Sequence, residues 1–259
     1  TGRGPIKCMS NVDEPTPTDL APDAAAPPSG ATATATFGLG CFWGPDARFG
    51  AMEGVVRTRV GYAGGTTPEP TYHNLGDHTE VVQVEYDPNR ISYADLLEVV
   101  WSAHDPRATA RKPQYRNVIL TDTLVHRQAA EQTRQRVESR LDGPVETAIE
   151  DLDTFHLAEP YHQKYELRST PVLGDELVDR YGDALVDSTA AARLNGFVAG
   201  HCEWDSGVRR CRCRCRRRCR RRPVTTRGVH SSGVPGVDIP DRIRRYPRTR
   251  PFVSISLVV

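Results

Sequence analysis

Residues 35–52 read ATFGLGCFWGPDARFGAM. The first five, Ala35–Leu39, form a short run of strand-forming residues that stops at Gly40. Pro45 suits the first turn of a helix, because its missing N–H would have no partner there and its φ is already helical. That helix is predicted to reach about Met52. A strand therefore turns sharply into a helix across Gly40-Cys41-Phe42-Trp43-Gly44, and the thiol of Cys41 falls at the helix start. Unpaired N–H groups and the positive end of the helix dipole stabilise a thiolate at that place, so the sequence predicts a lowered thiol pKa. Gly40 and Gly44 leave room for close approach to the sulfur. Phe42 and Trp43 supply apolar faces beside it. The bland alternative is a structural cysteine packed between two aromatics.

Outward from this corner the chain alternates strands and helices. Val55–Tyr62 reads as a strand ended by Gly64-Gly65. Residues 66–79 form a long loop of the kind that usually carries function. Val81–Tyr86 alternates apolar and polar residues as a half-buried strand does. Ser92 caps a helix with Leu96, Leu97, Val100 and Trp101 on its apolar side. Tyr115–Leu120 is a further strand. Thr123–Leu141 is a long charged helix capped by Thr121 or Asp122. Val145–Leu152 is a strand, and Glu159–Leu167 a short aromatic helix. Two successive strands, 55–62 and 81–86, are joined without a helix. That favours an α+β sandwich, helices on a mixed sheet, over a doubly wound one.

Charge and cysteine usage divide the chain of 259 residues. Residues 1–200 carry 18 Lys+Arg against 29 Asp+Glu, a net of −11, and residues 201–259 carry 16 against 4, a net of +12. Of the 7 cysteines only Cys41 lies inside the patterned region; Cys8 precedes it, Cys202 closes it, and Cys211, Cys213, Cys215 and Cys219 fall in a basic run. One interior thiol is no disulfide framework and is instead a candidate nucleophile. Residues 1–35 hold almost no large apolar side chains and are expected to be disordered. No run of eighteen apolar residues is present, so no membrane span is expected. No basic start followed by an apolar core is present either, so no secretory signal is expected.

Six blocks in order, GCFWG (40–44), GYAGG (61–65), PEPTYHNLGDHTE (68–80), WSAHDP (101–106), QYR (114–116) and AEPYHQKY (158–165), closely resemble the A-type peptide methionine sulfoxide reductases. The resemblance runs from about Thr36 to Gly200. It implies a ferredoxin-like α/β sandwich with a mixed central sheet and extra helices. It implies reduction of methionine S-sulfoxide, free or in oxidised proteins, without metal or cofactor, in the cytoplasm and as a monomer. Cys41 matches the family's nucleophile, and Phe42 and Trp43 its pocket for the substrate's S-methyl group. Glu80 matches the acid that protonates the sulfoxide oxygen. Tyr72 and Tyr115 match the tyrosines that hydrogen-bond that oxygen. These roles suit the chemistry: a sulfoxide needs a soft nucleophile on sulfur and a proton on oxygen. His104-Asp105-Pro106 reads as a helix-ending turn, and Tyr161-His162-Gln163 as packing around the site. Asp151, Asp153 and His156 fit no standard metal set.

Two departures from the family stand out. Most relatives carry a longer loop with a Gly-Asn-Asp segment where this chain has only residues 107–113. One polar wall of the site is therefore expected to be missing or supplied from elsewhere. The second concerns recycling of the oxidised cysteine. Cys202 is the candidate resolving cysteine, with thioredoxin or another dithiol as the reductant; direct reduction by an external thiol is the alternative. The organisation is then 1–35 as leader, 36–202 as catalytic domain and 203–259 as an Arg/Cys-rich disordered tail. The tail's composition suits translation of a wrong frame. Its arginines also permit a rival reading, a nucleic-acid-binding protein with a degenerate reductase-like core.

Overall fold

In the computed structural model of the protein, residues 32–170, 173–205 and 210–213 are described. The elements run β1 (Ala33–Leu39), α1 (Trp43–Gly50), β2 (Val55–Ala63), β3 (Thr79–Tyr86), α2 (Tyr93–Ala103), β4 (Asn117–Thr121), α3 (Leu124–Leu141), β5 (Ala148–Asp151), β6 (His156–Leu157), α4 (Tyr165–Arg168), α5 (Leu173–Tyr181), α6 (Thr189–Val198), β7 (Cys202–Asp205) and β8 (Arg210–Cys213). Six strands make one sheet in the order β5-β4-β1-β3-β2-β6. All its neighbours are antiparallel except β4 and β5, which run parallel. The sheet is therefore mixed, and the α+β expectation holds.

Period-two alternation puts Ala35 and Phe37 of β1, Val82 and Val84 of β3 and Ile119 of β4 on one face. There they meet Phe49 of α1 and Leu96, Leu97 and Val100 of α2 in one buried cluster. Phe37 and Phe49 stack with centroids 5.4 Å apart, which fixes α1 against the strand that leads into it. Each of these large side chains contributes about 1.5–3 kcal/mol on burial. Ser92 starts α2 with a full capping box: its hydroxyl accepts from the Asp95 N–H, and the Asp95 carboxylate accepts from the Ser92 N–H.

The structure corrects several expectations. The cap of α3 is Thr123, whose hydroxyl accepts from the His126 N–H at 3.1 Å, while Asp122 pairs with the His126 ring instead. The predicted helix Glu159–Leu167 is broken. A 3-10 turn, Pro160–His162, precedes Gln163 in extended conformation and Lys164 in the left-handed region at φ 55°, and only then does α4 begin. A tertiary bond holds this kink: the Lys164 N–H donates to Asp46 at 3.0 Å. β6, α5 and α6 were not foreseen. β1 begins at Ala33, inside the stretch expected to be disordered, and β7 pairs with β8 inside the expected disordered tail. The remainder of the leader and tail lies outside the described residues. Among the described residues no helix is long and apolar enough to cross a membrane.

Candidate active site

Gly40 makes the corner between β1 and α1 with φ +77°, a conformation that costs other residues a Cβ clash. Cys41 follows it and α1 begins two residues later. Cys41 is the free cysteine among the described residues and is exposed. Its sulfur nonetheless lies against enough protein that burial pushes the thiol up to about 11. A hydrogen bond with the Trp43 backbone pulls the other way, and the charges of Glu80 and Glu166 add to the rise. The expected lowering by the helix start is thus real but outweighed. Burial favours the thiol form of Cys41 over the thiolate.

Glu80 sits on β3, only 1% exposed. Its Oε2 accepts from the Phe42 N–H at 3.2 Å and its Oε1 from the Gln114 side chain at 2.7 Å. Burial raises its pKa, and these two bonds offset only part of the rise. A carboxyl biased toward its protonated form therefore lies one residue from the nucleophile. Tyr115, next to Gln114, is pushed up to about 12 by burial, by the charges of Glu80, Tyr72 and Cys41, and by a hydrogen bond with Tyr72. The structure thus brings Cys41, Glu80, Tyr72 and Tyr115 together. Gln114 was not singled out from the sequence, although it stands in the same short block as Tyr115.

The aromatic wall comes from α1 and from the kinked segment 160–165. Phe42 is buried and packs on Tyr62 and His162, with centroids 6.0 and 5.1 Å away. Trp43 stacks on Tyr165 at 3.6 Å and an interplanar angle of 3°. The Trp43 indole N–H donates to Nδ1 of His162 at 3.3 Å, which places that ring's proton on Nε2. Tyr72 and Tyr161 flank the same imidazole at 4.9 and 4.2 Å. Glu159 ties the wall to the loop: it accepts from the Tyr72 backbone N–H at 2.9 Å and from the buried Tyr62 hydroxyl at 2.7 Å. Burial works against its ionisation, but these bonds and nearby His162 hold its carboxyl below the usual range. His162 and Tyr165 thus pack around the site, against Phe42, Trp43 and Tyr72, with Tyr161 on His162.

A family model, peptide methionine sulfoxide reductase, matches residues 33–179. The chain belongs to this family. The peptide methionine sulfoxide reductase A5 of Oryza sativa subsp. japonica is 43% identical over 184 residues, covering 69% of this chain and 72% of the relative. The A5 protein of Arabidopsis thaliana is 44% identical over 175 residues, covering 65% and 69%. The crystal structure of reduced Mxr1 from Saccharomyces cerevisiae is 25% identical with a TM-score of 0.51, covering 56% of this chain and 88% of that one.

The other residues of this reductase fall as follows. His104 is structural: its ring contacts the Val100 carbonyl at 2.9 Å and the Thr147 hydroxyl at 2.7 Å, closing the end of α2. Asp151 pairs with Arg127 at 2.6 Å, and no cluster of metal-ligating side chains occurs among the described residues. The short stretch 107–113 lines a separate groove of about 640 Å³ with Gly64, Asp77, Arg116, Glu146 and Glu150; Cys41, Glu80, Tyr72 and Tyr115 take no part in it. Cys202 is buried and packs on Ala51 and Phe197. Ala51 lies just past the end of α1, whose eight residues span about 12 Å, so Cys202 is not brought to Cys41. Cys202 is disulfide-bonded and Cys41 is free, so the two are not joined to each other.

Proposed function

We propose that this reductase converts methionine S-sulfoxide, free or in oxidised proteins, to methionine by direct attack of Cys41. The observation that supports this best is the buried Glu80 carboxyl beside the Cys41–Phe42 peptide. With Glu80 protonated, its O–H donates to the sulfoxide oxygen, and the hydroxyls of Tyr72 and Tyr115 share that oxygen. Phe42 and Trp43 take the S-methyl group. The Cys41 sulfur attacks the substrate sulfur, the S–O bond breaks, and the oxygen passes to Cys41 as a sulfenic acid while the sulfide leaves. The thiol proton of Cys41 replaces the one Glu80 has given up, so the step consumes no net proton. Two external thiols then remove the oxygen as water and are left as a disulfide.

Thioredoxin or a similar dithiol is the proposed reductant, with Cys202 as the resolving residue once its own disulfide is reduced and β7 moves, in a cytoplasmic monomer that repairs oxidised proteins. The test is an assay of both epimers of a methionine sulfoxide peptide with dithiothreitol, which reaches Cys41 without a relay. Consumption of the S epimer alone is expected. Equal consumption of both, or of neither, sinks the reading. The Arg-rich tail remains the sole ground for a nucleic-acid-binding function, and the assembled site speaks against it.

A further inference from the structure

The segment beside the site is held to the rest of the molecule by four consecutive residues, the outer two on Trp43 and the inner two on the β2 backbone and Asp46. His162 takes the Trp43 indole N–H. The Gln163 amide accepts from the Val60 N–H at 3.0 Å and donates to the Val60 and Ala158 carbonyls at 2.8 and 3.0 Å, standing in for a strand beside β2. Tyr165 stacks on Trp43. Between them lies Lys164, wholly buried, as is Asp46.

Asp46 is the hub of this arrangement. Its Oδ1 accepts from the Thr58 hydroxyl at 2.5 Å and from Lys164 Nζ at 3.2 Å. Its Oδ2 accepts from the Lys164 N–H at 3.0 Å and from the Asn195 amide at 3.2 Å. Lys164 Nζ also donates to the Thr58 carbonyl at 2.5 Å. Asp46 stands three residues after Trp43 on α1, so the two share one helix face. Lys164 directly precedes Tyr165. The ion pair and the ring stack are therefore adjacent rungs between the same two segments.

We propose that Asp46 and Lys164 are a positioning pair that sets the spacing of Trp43 on Tyr165, and through it the width of the pocket for the substrate's S-alkyl group. The pair touches no substrate. It acts through the left-handed turn at Lys164, which aims Tyr165 at the indole. Apolar burial alone would leave the two segments free to slide, whereas an ion pair with four donors on one carboxylate fixes a single register. The choice of alkyl group rests on the function proposed above.

The experiment compares the full chain with Lys164→Met, with Asp46→Asn/Lys164→Met and with Thr58→Val. Lys164→Met strands a buried carboxylate and is the variant most at risk of not folding. The double variant removes both charges, a change that proteins tolerate far better than loss of one partner. Thr58→Val is nearly isosteric and removes one donor from Asp46. Each is assayed on a methionine S-sulfoxide peptide and on its S-ethyl homologue. A tight apolar pocket discriminates one methylene by about tenfold or more. The double variant is expected to lose most of that preference, and Thr58→Val part of it, in kcat/KM. Near-ultraviolet circular dichroism gives a second readout free of turnover: the band that Trp43→Phe removes should also fade in the double variant and weaken in Thr58→Val. A methyl preference and a Trp43 band both at wild-type size in the folded variants, with only the melting temperature lowered, would show the pair to be a stability element and overturn the proposal. A wild-type chain that reduces neither peptide would instead sink the proposed function, leaving the Trp43 band to decide the positioning role.

Discussion

Oε2 of Glu80 lies 3.2 Å from the backbone nitrogen of Phe42, the residue that follows Cys41. One buried carboxyl thus braces the corner that presents the thiol and raises that thiol's pKa by its charge. The two protons are coupled. Protonating Glu80 lowers the cost of ionising Cys41, and binding a sulfoxide oxygen at Glu80 favours that protonated form.

The coupling gives a pH signature. The protonated form of Glu80 is lost as pH rises through its raised pKa, and the thiolate of Cys41 is gained only toward about 11. Between those limits the loss of protonated Glu80 and the gain of thiolate cancel, so kcat/KM should be flat from the raised Glu80 pKa up toward about 11. Glu80→Gln cannot deliver the proton and should lose about 100-fold or more in kcat. Its residual rate should climb with pH, following thiolate alone. A wild-type rate that itself climbs steadily from pH 6 to 9, measured on a sulfoxide peptide, would show that Glu80 is not the proton donor.

Alkylation of Cys41 tests the resting state directly. Iodoacetamide reacts with the thiolate, so its rate on the wild-type chain should still be rising at pH 10. Removing the Glu80 charge should move that rise to lower pH. A labelling midpoint at or below the ordinary cysteine value in the wild type would mean that the helix start prevails over burial after all.

Glu159 is the bond between the two aromatic sides of the site, with one oxygen on the Tyr72 backbone and the other on the Tyr62 hydroxyl. Glu159→Ala frees the loop that carries Tyr72 and strands a buried phenol. A misplacement of about 1 Å near a reacting centre can cost about 100-fold. A fall in kcat/KM of at least about tenfold is expected, with Glu159→Gln recovering part of it because an amide still accepts from the Tyr72 N–H. Equal activity of both variants would separate Tyr72 placement from Glu159.

α1 owes its position partly to a small-residue contact with α6. A methyl group added at Gly196 would come within 2.7 Å of the Ala47 carbonyl and 2.6 Å of the Ala51 methyl. Gly196→Ala should therefore push α6 off α1 and destabilise the fold by about 1–3 kcal/mol, read by urea unfolding. An unchanged midpoint would mean the helices separate without cost.

What was legible in the sequence follows the range of the forces involved. The corner at Cys41 was legible because strand, glycine turn and proline-started helix are neighbours along the chain. Glu80, Tyr72 and Tyr115 were legible only through matched blocks, since no local period brings residues 41, 72, 80 and 115 together. The break at Lys164 was hidden because it answers to Asp46, 118 positions away. α6 was hidden because its buried positions, Ala191, Ala192 and Gly196 among them, are too small to make an apolar stripe. The thiol pKa was misjudged for a related reason. A helix start can be read from sequence, but the burial that outweighs it cannot.

The last prediction concerns recycling. Cys202 packs on Ala51 beyond the far end of α1, stands in β7, which pairs with β8, and is disulfide-bonded with Cys41 left free. If Cys202 resolves the oxidised Cys41, that disulfide must first open and Cys202 must leave its packing on Ala51 and Phe197. A thioredoxin-type dithiol attacks a disulfide sulfur on the surface far more readily than an oxidised sulfur beside an aromatic wall. Full cycling with thioredoxin is then expected of the intact chain. Cys202→Ser should give one stoichiometric burst and stop, with dithiothreitol restoring turnover. Mass spectrometry of the wild type, first reduced to open the Cys202 disulfide and then freed of reductant, should find a Cys41–Cys202 disulfide after one turnover. Continued cycling of Cys202→Ser with thioredoxin would show that the reductant reaches Cys41 directly. Cys202 would then serve the fold alone, through its own disulfide and its packing on Ala51 and Phe197.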